Sequence, residues 1–226
     1  MKTKSIYFLL VFPVISGVLA LLTGNFLFKA GVAGIGILLI GGLYLAGKKT
    51  YDKAGLIIVA FLFSIAGDWF LSNKSDQSWM FTTGIALFFF AHIGYLLYAL
   101  KNGKIAGNFL ITLLAAYLAF FFLWLSPGIA GIGLKAAALF YLVISCFSLA
   151  AAWGTDQLSP LSRWSFMVGI GLIFFSDTII AFKEFTLFQT LNFLILPTYY
   201  LAQLSITFSL MRTMINNLNE SQITNQ

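Results

Sequence analysis

Hydrophobic residues run along this chain in long blocks, each separated from the next by only a few polar positions. Eight blocks stand out, at roughly 6–22, 30–46, 54–71, 79–100, 108–126, 134–153, 164–182 and 190–211. An α-helix needs about 20 mostly apolar residues to cross the hydrocarbon core of a bilayer, so each block is a candidate span. The breaks are short: TGN at 23–25, KKTYDK at 48–53, SNKSDQS at 72–78, KNGK at 101–104, SPGIAGIG at 126–133, GTDQLSP at 154–160 and KEF at 183–185. None is long enough to separate two domains. The pattern predicts an all-α, polytopic membrane helix bundle of about eight transmembrane helices, forming one domain over residues 1–215. The polar stretch NNLNESQITNQ at 216–226 reads as a frayed tail. The first block follows MKTKS and contains Val18-Leu19-Ala20, which gives it the look of a cleavable signal peptide. Because the rest of the chain is equally apolar, we read it as an uncleaved first span.

Composition agrees with the pattern. Of 226 residues, 60% are hydrophobic and 9% charged, against roughly 25% charged in a soluble domain. The net charge of +6 comes from lysines and arginines scattered over the loops, with no basic patch or arm, so nucleic acid is not an expected partner. Those cations instead set orientation. Lys2, Lys4, Lys48, Lys49, Lys53, Lys101, Lys104, Arg163 and Arg212 fall on one side, and Lys29, Lys74, Lys135 and Lys183 on the other. The excess marks the first group as cytoplasmic and places both termini there, in a multi-pass protein of the cell or inner membrane if the source is bacterial. Cys146 is the sole cysteine, which excludes an intramolecular disulfide.

Ionisable groups inside spans are costly, and each is a functional candidate by default. Asp68 lies in FSIAGDWFL and Asp177 in IFFSDTIIAF, on the third and seventh spans. Both spans run outward in the inferred topology, which sets the two acids about 6–9 Å inside their outer helix ends and at a common level. The third–fourth and seventh–eighth pairs form a faint parallel repeat, each carrying a Ser/Gly-Asp near a helix end. His92, the only histidine, lies in FFFAHIGYLLY with Tyr95 three residues on; Tyr199, Tyr200 and Gln203 share a flank in PTYYLAQLS. Each has a bland reading. A single acid can pair with a loop lysine, His92 can be a structural hydrogen-bonding group, and Tyr199, Tyr200 and Gln203 can be interhelical glue. Lys29 can snorkel to the interface rather than bind a headgroup. The run Ala30-Gly31-Val32-Ala33-Gly34-Ile35-Gly36 reads as close helix packing. One histidine cannot build a His-rich zinc site, and neither GxSxG nor a P-loop is present, so no metal or cofactor is expected.

At these residues the sequence resembles the YhhN family of membrane proteins, whose characterised animal members are lysoplasmalogenases. The matching pieces are FSIAGDWFL, GIALFFFAHIGYLLY, FFSDTIIAF and PTYYLAQLSI, in order on the third, fourth, seventh and eighth spans. The resemblance implies that Asp68 and Asp177 are the catalytic acids, and that His92, Tyr199, Tyr200, Gln203 and Lys29 contact substrate. Where the family often has Lys-Pro, this chain has Lys29-Ala30, keeping the cation without the kink. The implied reaction is hydrolysis of the vinyl-ether bond of a lysoplasmalogen to a fatty aldehyde and glycerophospho-ethanolamine or -choline. Such an ether is protonated at carbon, and water captures the resulting oxocarbenium-like cation. That chemistry calls for one carboxylic acid and one carboxylate, as in paired-carboxyl glycosidases. The partners would be a lysophospholipid substrate and membrane lipids, with oligomeric state open. Two other classes fit the same polar residues: a proton-coupled carrier and a lipid-binding protein without turnover.

Overall fold

The computed structural model describes residues 3–46, 53–75 and 78–224. Eight helices follow one another: α1 (Val11–Thr23), α2 (Phe26–Ala46), α3 (Ala54–Ser72), α4 (Ser78–Leu100), α5 (Gly107–Phe120), α6 (Ile132–Trp153), α7 (Pro160–Phe185) and α8 (Ile195–Thr224). With the 3-10 turns of Thr3–Leu10 ahead of α1, and the π turn Phe121–Leu125 after α5, all eight are long and apolar enough to cross a membrane. The fold is the all-α membrane bundle that the hydrophobic blocks predict. All five tryptophans are exposed and sit near span ends, at Trp69, Trp79, Trp124, Trp153 and Trp164. Aromatic belts of this kind mark the two interfaces of a bilayer, where an amphipathic ring is half in water.

Three boundaries differ from the sequence reading, each for a local reason. Asn25 accepts a hydrogen bond from the Leu27 backbone N–H at 2.9 Å and caps α2, so the helix starts at Phe26 and Lys29 lies in its first turn. Pro160 occupies the first turn of α7, where its missing N–H is not needed, and the helix continues past Lys183 and Glu184 to Phe185. With no glycine or proline to break it, α8 carries on past Asn216 through Thr224, and the last two residues of the polar tail lie outside the described residues. Lys2, Lys48 and Lys49 of the orientation count lie outside the described residues.

In a bilayer, lipid tails are as apolar as leucine, so helices associate through close packing of small residues. Here glycines set the approach of the helices that carry the polar residues. A Cβ on Gly94 would stand 2.9 Å from the Leu56 carbonyl oxygen and from Ala60 Cβ, which ties α4 to α3. Gly67 does the same beside Phe88. A Cβ on Gly169 would meet Ala202 O at 3.0 Å, joining α7 to α8. The small-residue run in α2 packs as expected: Val32 and Ala33 are buried, Gly31 abuts Ser16 and Gly36 abuts Thr207. The closest helix pairs are α3 with α4 and α7 with α8, and α4 lies beside α6 while α5 packs outside α6. At one end of the bundle the loops are stitched by Lys104 N–H to Gly154 O at 3.1 Å and Gln157 N–H to Asn102 O at 3.0 Å. Lys53 adds bonds to Lys101 O and Asn102 Oδ1 at 2.6 and 2.9 Å. The opposite end is left more open, and there the candidate site lies.

Candidate functional site

Asp68, on α3, accepts a hydrogen bond from Tyr199 on α8 at 3.1 Å. Asp177, on α7, accepts one from Tyr141 on α6 at 2.5 Å, and the same Oδ2 lies 3.5 Å from His92 Nε2 on α4. Between the acids, Ser64 Oγ and Tyr95 OH are 3.2 Å apart, and the Tyr95 ring meets His92 edge to face with centroids 5.8 Å apart. Five helices thus supply one polar layer: α3, α4, α6, α7 and α8. Each polar side chain in hydrocarbon needs a partner, and the layer supplies one to all of these but His92, whose ring nitrogens have no hydrogen-bond partner among the described residues.

Two cavities open around the layer. The larger, of about 280 Å³, is polar and is lined by Lys29, Asp68, Asp177, Tyr199 and Tyr200. The smaller, of about 80 Å³, is apolar and runs among Tyr117, Phe120, Ala138, Leu142 and Phe174. They share Leu71, Phe81, Phe88, Asp177 and Ile180 as a common wall. Asp177 is the carboxylate on the seam, facing both spaces. Asp68 faces the polar space alone.

Of the residues singled out from sequence, Asp68, Asp177, Lys29, Tyr199 and Tyr200 line one cavity. His92 is 1% exposed and stands behind Asp177 rather than on the wall. Gln203 lies apart: it lines neither cavity and is fully buried, with no side-chain hydrogen-bond partner among the described residues. Tyr141 has little mark in the sequence, since a tyrosine in an apolar helix resembles any other aromatic; its signal is the spacing of Tyr141, Ser145 and Ser148, which fall on one helix face. Lys74 and Glu184 read from sequence as loop residues. They form an ion pair at the mouth of the polar cavity, joining the end of α3 to the end of α7. Lys74 also lies over the Phe81 ring, 4.6 Å from its centroid.

As a metal centre the layer is thin, since no three His, Cys, Asp or Glu residues gather among the described residues. As an acid–base site it is well furnished: two carboxyls, each with a phenol donor, one of them at the boundary between the two cavities. The YhhN family model matches residues 24–210, which takes in every residue of the layer and of both cavity walls. No curated protein and no solved structure matches the chain.

Proposed function

The chain belongs to the YhhN family, and on that premise we propose that it is a hydrolase of the lysoplasmalogenase kind, cleaving the vinyl-ether bond of a single-chain phospholipid. The observation that carries this reading is the seam. A lysolipid has an apolar tail and a polar head, and its ether oxygen lies where the two meet. With the tail in the apolar cavity and the glycerol in the polar one, the ether falls beside Asp177.

The reaction balances with water alone. A carboxylic acid protonates the alkenyl carbon β to the ether oxygen, and the adjacent carbon becomes an oxocarbenium-like cation facing the second carboxylate. Water adds to that cation, its extra proton returns to the carboxyl pair, and the hemiacetal so formed collapses. The C–O bond breaks, leaving a free glycerol hydroxyl and a fatty aldehyde. Asp68 and Asp177 hold the proton between them. The chemistry calls for one of the two as the acid while the other, as carboxylate, faces the cation. Tyr199 and Tyr141 orient the two groups, and His92 backs Asp177 from inside the bundle. The site would face the outer side, with both termini cytoplasmic.

Release of aldehyde from an alkenyl lysophospholipid by the purified protein, with none from the ester analogue, tests the proposal. The chain of hydroxyl, imidazole and carboxyl groups between Asp68 and Asp177 would also suit proton-coupled transport. Proton-driven uptake into proteoliposomes without aldehyde release would favour that reading instead.

A further inference from the structure

The polar cavity carries more charge than the acid pair requires. Lys29, Lys74, Lys183 and Glu184 all lie on its wall. Glu184 is taken up by Lys74, and its other oxygen is 3.8 Å from Lys183 Nζ. Lys29 makes no ion pair with any carboxylate among the described residues. Beyond the Lys74–Glu184 pair, Lys29 and Lys183 thus bring two ammonium groups to this wall. A second observation points the same way: Tyr200, 4% exposed, lines the cavity with its hydroxyl buried and unpartnered among the described residues. A buried O–H of this kind is costly to leave unpaired, so a ligand that accepts its hydrogen bond is favoured there.

The depths are also ordered. Lys29 stands in the first turn of α2 and Lys183 in the last turn of α7, while Asp177 lies six residues further in. At 1.5 Å per residue that is about 9 Å of helix, comparable with the span from a phosphate through a glycerol to its far oxygen.

We infer that Lys29, Lys183 and Tyr200 form a subsite for the phosphate of a phosphodiester headgroup, walled by the Lys74–Glu184 pair. The inference rests on the reading that a single-chain lipid occupies the two cavities. The phosphodiester monoanion is a counter-charge for the two ammonium groups, and its oxygens accept from them and from the Tyr200 hydroxyl. Glu184 holds Lys74 against the wall, out of the phosphate's way. The phosphate then fixes how far the lipid rises, and so which carbon meets Asp177.

The test is binding, measured apart from turnover. The full chain in a phosphate-free detergent is titrated with an ester lysophosphatidylethanolamine and with a monoacylglycerol of the same chain, followed by native mass spectrometry. Wild type is expected to hold the phospholipid roughly 10-fold or more tighter, the scale of one or two charge-assisted hydrogen bonds. Lys29→Met with Tyr200→Phe is expected to erase the difference while leaving monoacylglycerol binding unchanged, which also reports that the variant is folded. Lys29→Arg should keep most of the preference. Equal binding of the two lipids by wild type, or a preserved preference in the double variant, would overturn the subsite. Inorganic phosphate that binds the same residues at micromolar level, with no discrimination between the lipids, would make the site one for free phosphate and overturn the headgroup assignment. Turnover separates this inference from the hydrolase reading. If alkenylglycerol without phosphate is cleaved as fast as the phospholipid, the hydrolase stands and the subsite falls. If phosphate-dependent binding appears without aldehyde, the subsite stands and the hydrolase reading falls.

Discussion

Tyr141 donates its hydroxyl to Asp177 Oδ2 at 2.5 Å, and His92 Nε2 approaches that same oxygen to 3.5 Å from another helix. One carboxylate oxygen is therefore hydrogen-bonded from α6 and flanked by the imidazole on α4, while Asp177 lines both cavities. The equivalent for Asp68 is a single contact, from Tyr199. Asp177 is the more firmly oriented of the two acids.

Removing that orientation should slow the chemistry without emptying the site. Tyr141→Phe keeps the ring and deletes only the donor. Turnover is expected to fall roughly 10-fold, the scale of one hydrogen bond to a charged group, with KM little changed. His92→Phe should act in the same direction. Steady-state kinetics on alkenyl lysolipid would check both, and a changed KM with unchanged kcat would make these groups contacts to substrate instead.

The close approach of α4, which carries His92, to α3 depends on Gly94. One of its Cα hydrogens faces the Leu56 carbonyl and Ala60 with no room for a methyl. Gly94→Ala is expected to push α3 and α4 apart and destabilise the protein by about 1–3 kcal/mol, as overpacking does. Gly34→Ala, where nothing lies within 4 Å, should be neutral. Thermal unfolding in detergent compares the two. Equal midpoints would show that the α3–α4 contact is looser than described.

Ala138 lies on the apolar cavity wall, one turn outward from Tyr141. Ala138→Leu fills part of that space with a side chain while leaving both acids untouched. Activity is expected to shift toward lysolipids with shorter chains, measured as kcat/KM over a chain-length series. An unchanged profile would put the hydrocarbon elsewhere.

Carboxyl-pair chemistry should also show in the pH dependence. One acid must be protonated while its partner is ionised, so kcat/KM is expected to follow a bell-shaped curve. Activity should survive dialysis against a strong chelator. Loss restored by one particular divalent ion would recast Asp68, Asp177 and His92 as ligands.

The bundle was readable from the sequence because a bilayer leaves little choice: a run as apolar as 54–71, ending in polar SNKSDQS, can only be a span. Asp68 and Asp177 were readable for the converse reason, as charges where charges are costly. Boundaries were less readable. Lys183 and Glu184 look like a loop, but α7 runs on through them because helical hydrogen bonding does not stop where hydrocarbon does. Tyr141 and Gln203 show the remaining limit. Both are polar groups in apolar helices, and only tertiary packing decides that Tyr141 reaches Asp177 while Gln203 lines no cavity. Pairings across helices, such as Lys74 with Glu184, have no local sequence signature.

The most direct measurement is aldehyde release by wild type, Asp68→Asn and Asp177→Asn, purified in detergent and matched for a monodisperse elution profile. Asparagine keeps the shape of the side chain but can neither deliver a proton nor balance a cation. Wild type is expected to convert an alkenyl lysophospholipid to aldehyde and glycerophosphodiester in equal amounts, and each variant to lose about 10²–10⁴-fold in rate. No aldehyde from wild type on any alkenyl lysolipid, or near-normal rates in either variant, would contradict the paired-carboxyl site.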